Sequence, residues 1–275
     1  MFNIFKKKKS DLLVTTSTGE LCLPVRIYYK IHNTRLLKKA LRKLKCIQFT
    51  EEDDNCFTIF YCKEAKKLNL ASHYQSVPKE FYPVPVADCN IKTGSTLHID
   101  TNSLRRAVEL IDFLVKNISS NLMEVIAFAN MNKAFTVKEG EEFKGFSPQD
   151  YNNVFDNVAC DEDRGLYDKI NALDLSSDHT TEQAVNLKSQ VLELFVSIVE
   201  QEEGENYPDA EKISIKYNRA DHHQLMNMLT LRATIKENVA HAHFEGNKNY
   251  TSLDAMQEIM DRIDLDESQG LSTNL

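Results

Sequence analysis

The sequence predicts an α+β fold: an N-terminal, mainly antiparallel sheet with two β-α-β-β units, then a mainly helical C-terminal region. Three observations carry this. Over the first 140 residues, β-branched and aromatic runs and capped amphipathic helices follow in the order strand, helix, strand, strand, twice. Beyond a polar stretch at 138–150, apolar residues recur every three or four positions, the period of a helix with one buried face. The chain of 275 residues is 42% hydrophobic and 27% charged, enough apolar side chains for a real core.

The elements follow in order. Residues 11–17 and 20–31 read as strands meeting at a Thr-Gly turn around Gly19. Asn33 or Thr34 can cap a helix to about Lys45, with Leu36, Leu37, Ala40, Leu41 and Leu44 as its apolar positions. Residues 46–50 and 56–62 form a hairpin across an acidic turn. Prolines at 78, 83 and 85 keep the end of the next stretch from being helical. In the second unit, strands at 84–91 and 96–100 flank a turn at Gly94, and Thr101 or Asn102 caps a helix to about Asn117. That helix has the strongest apolar stripe in the chain: Leu104, Ala107, Val108, Ile111, Leu114, Val115 and Ile118. Residues 123–129 and 134–137 then pair as a hairpin. Ser147-Pro148 can open a helix, 184–199 is amphipathic, a strand at 212–217 precedes helix 219–239, and a short helix follows at 253–263. These give a basic tail at 1–10, an α+β domain at 11–140, an acidic and mainly helical domain at 148–264, and a flexible tail at 265–275.

Charge is distributed unevenly. Residues 1–145 hold 23 basic and 16 acidic side chains, a net of +7, whereas 146–275 hold 10 and 25, a net of −15. Opposite fields of this kind favour docking of the two halves, in a salt-sensitive way, or selection of a charged partner.

The scarce residues exclude chemistry. No two of the eight glycines are closer than Gly140 and Gly145, so no G-x-G-x-x-G turn can approach a pyrophosphate. The nearest approach to a P-loop, Gly140 to Gly145, lacks the Lys-Ser/Thr and carries Glu139, Glu141 and Glu142, which repel phosphate. There is no G-x-S-x-G elbow, H-E-x-x-H helix or C-x-x-C pair, and the two loops that resemble EF-hands, at 161–165 and 264–270, lack the twelfth-position Glu. No cofactor is implied. The cysteines read as buried hydrophobes in a reducing cytosol. The longest apolar run, 125–129, falls far short of the ~20 residues of a membrane span, and the lysines at 6–9 are not followed by the apolar core of a signal peptide.

Candidate sites remain. Arg35, Lys38, Lys39, Arg42 and Lys43 lie opposite the leucines of helix 34–45, a basic amphipathic pattern suited to an anionic partner. Tyr74, Phe81 and Tyr82 sit in the proline-rich stretch 73–88, where loop aromatics favour contacts. His222, His223, His241 and His243 supply imidazoles for a metal site if they converge, although no recognised ligand spacing is present. The leading expectation is a cytoplasmic, non-enzymatic protein-interaction or regulatory protein. The alternatives are a metal-dependent hydrolase using the late histidines and a carboxylate, and a nucleic-acid or anionic-membrane binder working through the basic helix.

Overall fold

The structure is a computed structural model that describes residues 11–158, 160–161 and 210–268. The four N-terminal lysines and the helix expected at 184–199 lie outside the described residues. Its elements are β1 (Asp11–Leu13), β2 (Val25–Ile31), α1 (Thr34–Leu41), β3 (Ile47–Phe49), β4 (Cys56–Phe60), β5 (Pro85–Lys92), β6 (Thr96–Thr101), α2 (Leu104–Asn117), β7 (Met123–Met131), β8 (Thr136–Lys138), α3 (Pro148–Phe155), β9 (Cys160–Asp161), β10 (Ala210–Ser214), α4 (His222–Phe244) and α5 (Ser252–Ser268).

The fold is α+β, as the sequence predicts. One sheet runs in the order β3-β4-β5-β6-β2-β7-β10-β9, antiparallel except for the β9–β10 pair. The hairpins β3–β4 and β5–β6 form where expected, and Gly94 takes a positive φ of 91° in the turn of the second.

One expected hairpin is shorter than its strands predict, and another does not form. β1 pairs with β8 in a separate two-stranded sheet, and around the Gly19 turn the antiparallel pairing is short: a Thr15–Leu21 bridge, with the Thr16 amide donating to Glu20 O (2.8 Å) and the Cys22 amide to Val14 O (3.0 Å). The expected 123–129/134–137 hairpin is lost with it, since β7 pairs instead with β2 and β10. A buried clamp accounts for the first rearrangement. Glu20, 4% exposed, accepts from Arg106 Nε (3.1 Å), from the Ala71 amide (2.7 Å) and from the hydroxyls of Thr16 and Thr18, so this segment folds onto α2. Burial works against the Glu20 charge, but these hydrogen bonds overcome it and hold the carboxyl below its ordinary pKa.

Caps set the helix starts. The Asn33 side chain accepts from the Leu36 amide at 3.0 Å, and α1 stops at Leu41, short of Lys45. α2 is capped by Ser103, which accepts from the Arg106 amide at 3.3 Å, and not by Thr101 or Asn102. Thr101 ends β6 and donates to Val86 O, while the Asn102 side chain accepts from the Tyr151 hydroxyl. α3 begins with the expected Ser147-Pro148, reinforced by a capping box with Asp150. At the other end of the chain α5 continues to Ser268, past the expected stop near 263.

Alternation along each strand divides the sheet into two unlike faces. Ile27, Tyr29, Ala87, Ile91, Leu97 and Ile99 point to the side covered by α1, α2 and α4. Leu37 and Leu41 of α1 are fully buried there, at roughly 1.5–3 kcal/mol each. α4 adds Leu225, Leu229, Ala233 and Ala240 to this core, while its Ile235 and Val239 pack on Ala255 and Met256 of α5. With β10 hydrogen-bonded to β7, residues on both sides of 138–150 share one sheet and one core. Charge adds to this junction at Arg26–Asp156 (2.9 Å) and Arg105–Glu237 (3.8 Å).

Candidate functional site

The structure sorts the five cations expected to bind a partner into two groups. Lys38 Nζ lies 2.6 Å from Asp54 Oδ1 and 2.9 Å from Asn55 Oδ1, and Arg42 Nη2 lies 3.3 Å from Asp54 Oδ2. The two cations lower the pKa of this exposed carboxyl by hydrogen bonding to it. Arg42 also lies over the Phe49 ring, 4.6 Å from its centroid. Arg35, Lys39 and Lys43 are exposed and have no partner among the described residues. Leu36, 50% exposed, stands beside them. The helix therefore presents a row of Arg35, Lys39 and, in the following turn, Lys43, with one aliphatic side chain adjacent. Since Arg35 and Lys39 are four residues apart, their repulsion costs the helix a few tenths of a kcal/mol.

The aromatic stretch is largely turned in on itself. Tyr74 and Tyr82 stack with centroids 5.0 Å apart, Tyr74 meets Tyr61 edge-on at 5.6 Å, and the Tyr82 hydroxyl donates to Tyr74 O. Lys66 Nζ sits 4.0 Å from the Tyr74 ring centroid. Of the three expected contact residues, Phe81 alone is strongly exposed, at 50%.

The four late histidines do not meet. All lie on the 23-residue α4, whose rise of ~1.5 Å per residue keeps His222 and His241 about 28 Å apart. His222 Nε2 is 3.1 Å from Asp112 on α2, His223 contacts Asn227, and His243 Nε2 donates to Tyr250 O at 2.8 Å. The helical geometry also turns His241 and His243 to different sides, as the sequence spacing implies for a helix. Among the described residues no group of three or more His, Cys, Asp or Glu side chains is placed to hold a metal ion.

A polar constellation that the sequence reading missed lies on the second face of the sheet. Register places Thr58, Asp88, Asp100, Arg26 and Ala129 in one row across five strands, and Cys56, Asn90, His98, Tyr28 and Ala127 in the next. The small Ala127 and Ala129 leave room for α3, whose Tyr151 and Phe155 pack on them and on Tyr28. Arg26 is buried beside α3, and with α3 as one wall it lines, together with Thr58, Asp88, Asp100, Cys56, Asn90 and His98, a cleft of about 250 Å³.

Arg26 is the hub of this face. With 1% of its side chain exposed, it donates to Asp100 through Nε (2.6 Å) and Nη2 (2.8 Å), to Asp156 through Nη1 (2.9 Å), and to Asn152 through Nη2 (2.9 Å). Burial raises the pKa of Asp100, and the guanidinium pulls against that rise. His98, edge-on to Tyr28 at 4.8 Å, has its pKa lowered to about 4 by burial and by the nearby charges of Arg26 and Lys92. Its ring is therefore neutral at physiological pH. Burial raises Tyr28 to about 12. One signal for this cluster was present in the sequence: Arg26 and Asp100 interrupt apolar strands, where a charge needs a partner on a neighbouring strand. No family model matches this chain, nor does any curated protein or solved structure.

Proposed function

We propose that this chain is a non-enzymatic interaction protein that docks another protein on the outer surface of α1. The observation that carries the reading is the set of unpaired cations Arg35, Lys39 and Lys43 beside the half-exposed Leu36. An exposed aliphatic residue ringed by charge resembles the centre and rim of a protein interface. The second face gives less support to catalysis. Arg26 is engaged by two carboxylates and an amide oxygen, and His98, neutral down to about pH 4, is poorly suited to act as a general acid near neutrality.

A photo-crosslinking amino acid at position 36 tests the proposal in native lysate, with Asn153, exposed on α3, as the control position. The expected result is a discrete adduct from position 36 only, lost when Arg35, Lys39 and Lys43 are all changed to Glu. Absence of an adduct from position 36, or one that survives the charge reversal, sinks the assignment.

A further inference from the structure

Among the described residues one carboxylate, Asp54, is placed against the cations of α1, and both Lys38 and Arg42 use it. Arg35, Lys39 and Lys43 are left in a like-charged row with no acidic side chain of the described residues against them. Such a row adds nothing to helix stability, and it leaves this side of α1 complementary to an acidic partner. Resting on the interaction reading above, we infer that the partner is an acidic, extended protein segment that also carries an apolar side chain for Leu36.

Spacing favours an extended segment. Arg35 and Lys39 are separated by ~6 Å along the helix axis at ~1.5 Å per residue. Alternate side chains of an extended chain fall on one side at ~6.6 Å intervals. Carboxylates at every second position of such a segment therefore reach successive cations of the row.

Two features set an acidic protein above the other polyanions. Leu36 gives an apolar residue something to cover, whereas a phosphate backbone makes no use of an aliphatic side chain at the centre of its contacts. The chain carries a net charge of −8, which opposes a long nucleic acid or a charged membrane more than it opposes a short acidic segment.

The test uses the full chain and fluorescence anisotropy with three probes: a fluorescein-labelled peptide whose alternate positions carry Glu and one Leu on the same side, with Ser between them, a labelled single-stranded RNA, and vesicles of mixed phosphatidylcholine and phosphatidylserine. The peptide is expected to bind, and to bind about tenfold more weakly when Arg35, Lys39 and Lys43 are reversed to Glu. Leu36→Ala is expected to weaken it about threefold, and raising salt from about 50 mM to about 500 mM to weaken it further. Reversal of Lys133, which lies on another surface, is expected to leave binding unchanged. All substituted side chains are exposed except the half-exposed Leu36, so a melting temperature equal to that of the parent shows the variants to be folded. Failure of the peptide to bind, or binding indifferent to the triple reversal, overturns the inference. Stronger binding of RNA or vesicles, lost on the same reversal, also overturns it and reassigns the row to phosphate or lipid headgroups. If the peptide fails while crosslinking from position 36 still captures a protein, the interaction reading stands and only the acidic-segment inference falls.

Discussion

Arg26 and Asp100 sit opposite each other on β2 and β6 as a two-pronged ion pair, 2.6 Å and 2.8 Å, with the arginine side chain 1% exposed and the aspartate 13%. Removing one member of such a pair leaves a charge stranded in a poorly solvated place. Arg26→Met is expected to cost about 3–5 kcal/mol in denaturant unfolding. Arg26→Met with Asp100→Leu should recover a substantial part of that loss. Asp156, whose side chain is 54% exposed, matters less, and Asp156→Asn should cost no more than about 1 kcal/mol. A single Arg26→Met variant as stable as the parent would show that the pair adds nothing.

Acid should weaken the fold in two separable windows. His98 binds its proton at about pH 4 in the folded chain against 6.5 ordinarily, so the unfolded state takes up the proton first. Its contribution is unchanged above about pH 6.5 and unfavourable as pH falls from there towards 4. Glu211 shifts the other way for an acid, from 4.5 to about 2, because the coulombic pull of Arg232 and Lys236 outweighs its burial. The stability it supplies is complete above about pH 4.5 and is lost as pH falls towards 2. Stability curves of His98→Gln should flatten between pH 6.5 and 4, and those of Glu211→Gln below 4.5. Superimposable parent and variant curves would refute the assignment.

α3 rests on alanines. Ala129 is fully buried in the cluster with Tyr151 and Phe155. Ala129→Leu inserts bulk where the helix lies and should cost about 1–3 kcal/mol by overpacking. Amides of residues 148–155 should exchange faster with deuterium, while those of α2, on the other face of the sheet, keep their protection. Equal loss in both helices would mean that the whole sheet had been disturbed.

Uneven charge along the chain suggested a salt-sensitive junction between its halves. In the structure Leu225, Leu229 and Ala233 of α4 join the main core, and the Arg105–Glu237 contact at the surface is a loose 3.8 Å. Glu211, the carboxylate that anchors α4 to β10, is screened from solvent between Arg232 (2.5 Å) and Lys236 (3.2 Å). Exchange protection of α4 amides is therefore expected to be the same at low and high salt. A marked loss of protection in high salt would restore charge as the main force at this junction.

What could be read from the sequence was local. The Asn33 cap, the α2 stripe, the Gly94 turn and the Ser147-Pro148 helix start all stand close to where their residues place them, because each depends on torsion preferences and neighbours within about one turn. The hairpins that were shortened or lost were so through partners far along the chain: Glu20 is held by Arg106, 86 residues away. The basic character of α1 was equally legible, but not which of its cations were free, since Asp54 reaches Lys38 only through the fold of the β3–β4 hairpin.

From the sequence alone come the α+β class, the amphipathic helices, the absence of nucleotide-binding glycine patterns and the uneven distribution of charge. Only the tertiary structure decided that β10 joins β7, that four histidines on one helix stay apart, and that Arg26 is matched with an aspartate 74 residues away. The division follows from range. Backbone preferences and hydrophobic periodicity are set by adjacent residues, whereas a buried charge finds its countercharge only after strands distant in sequence have been brought side by side.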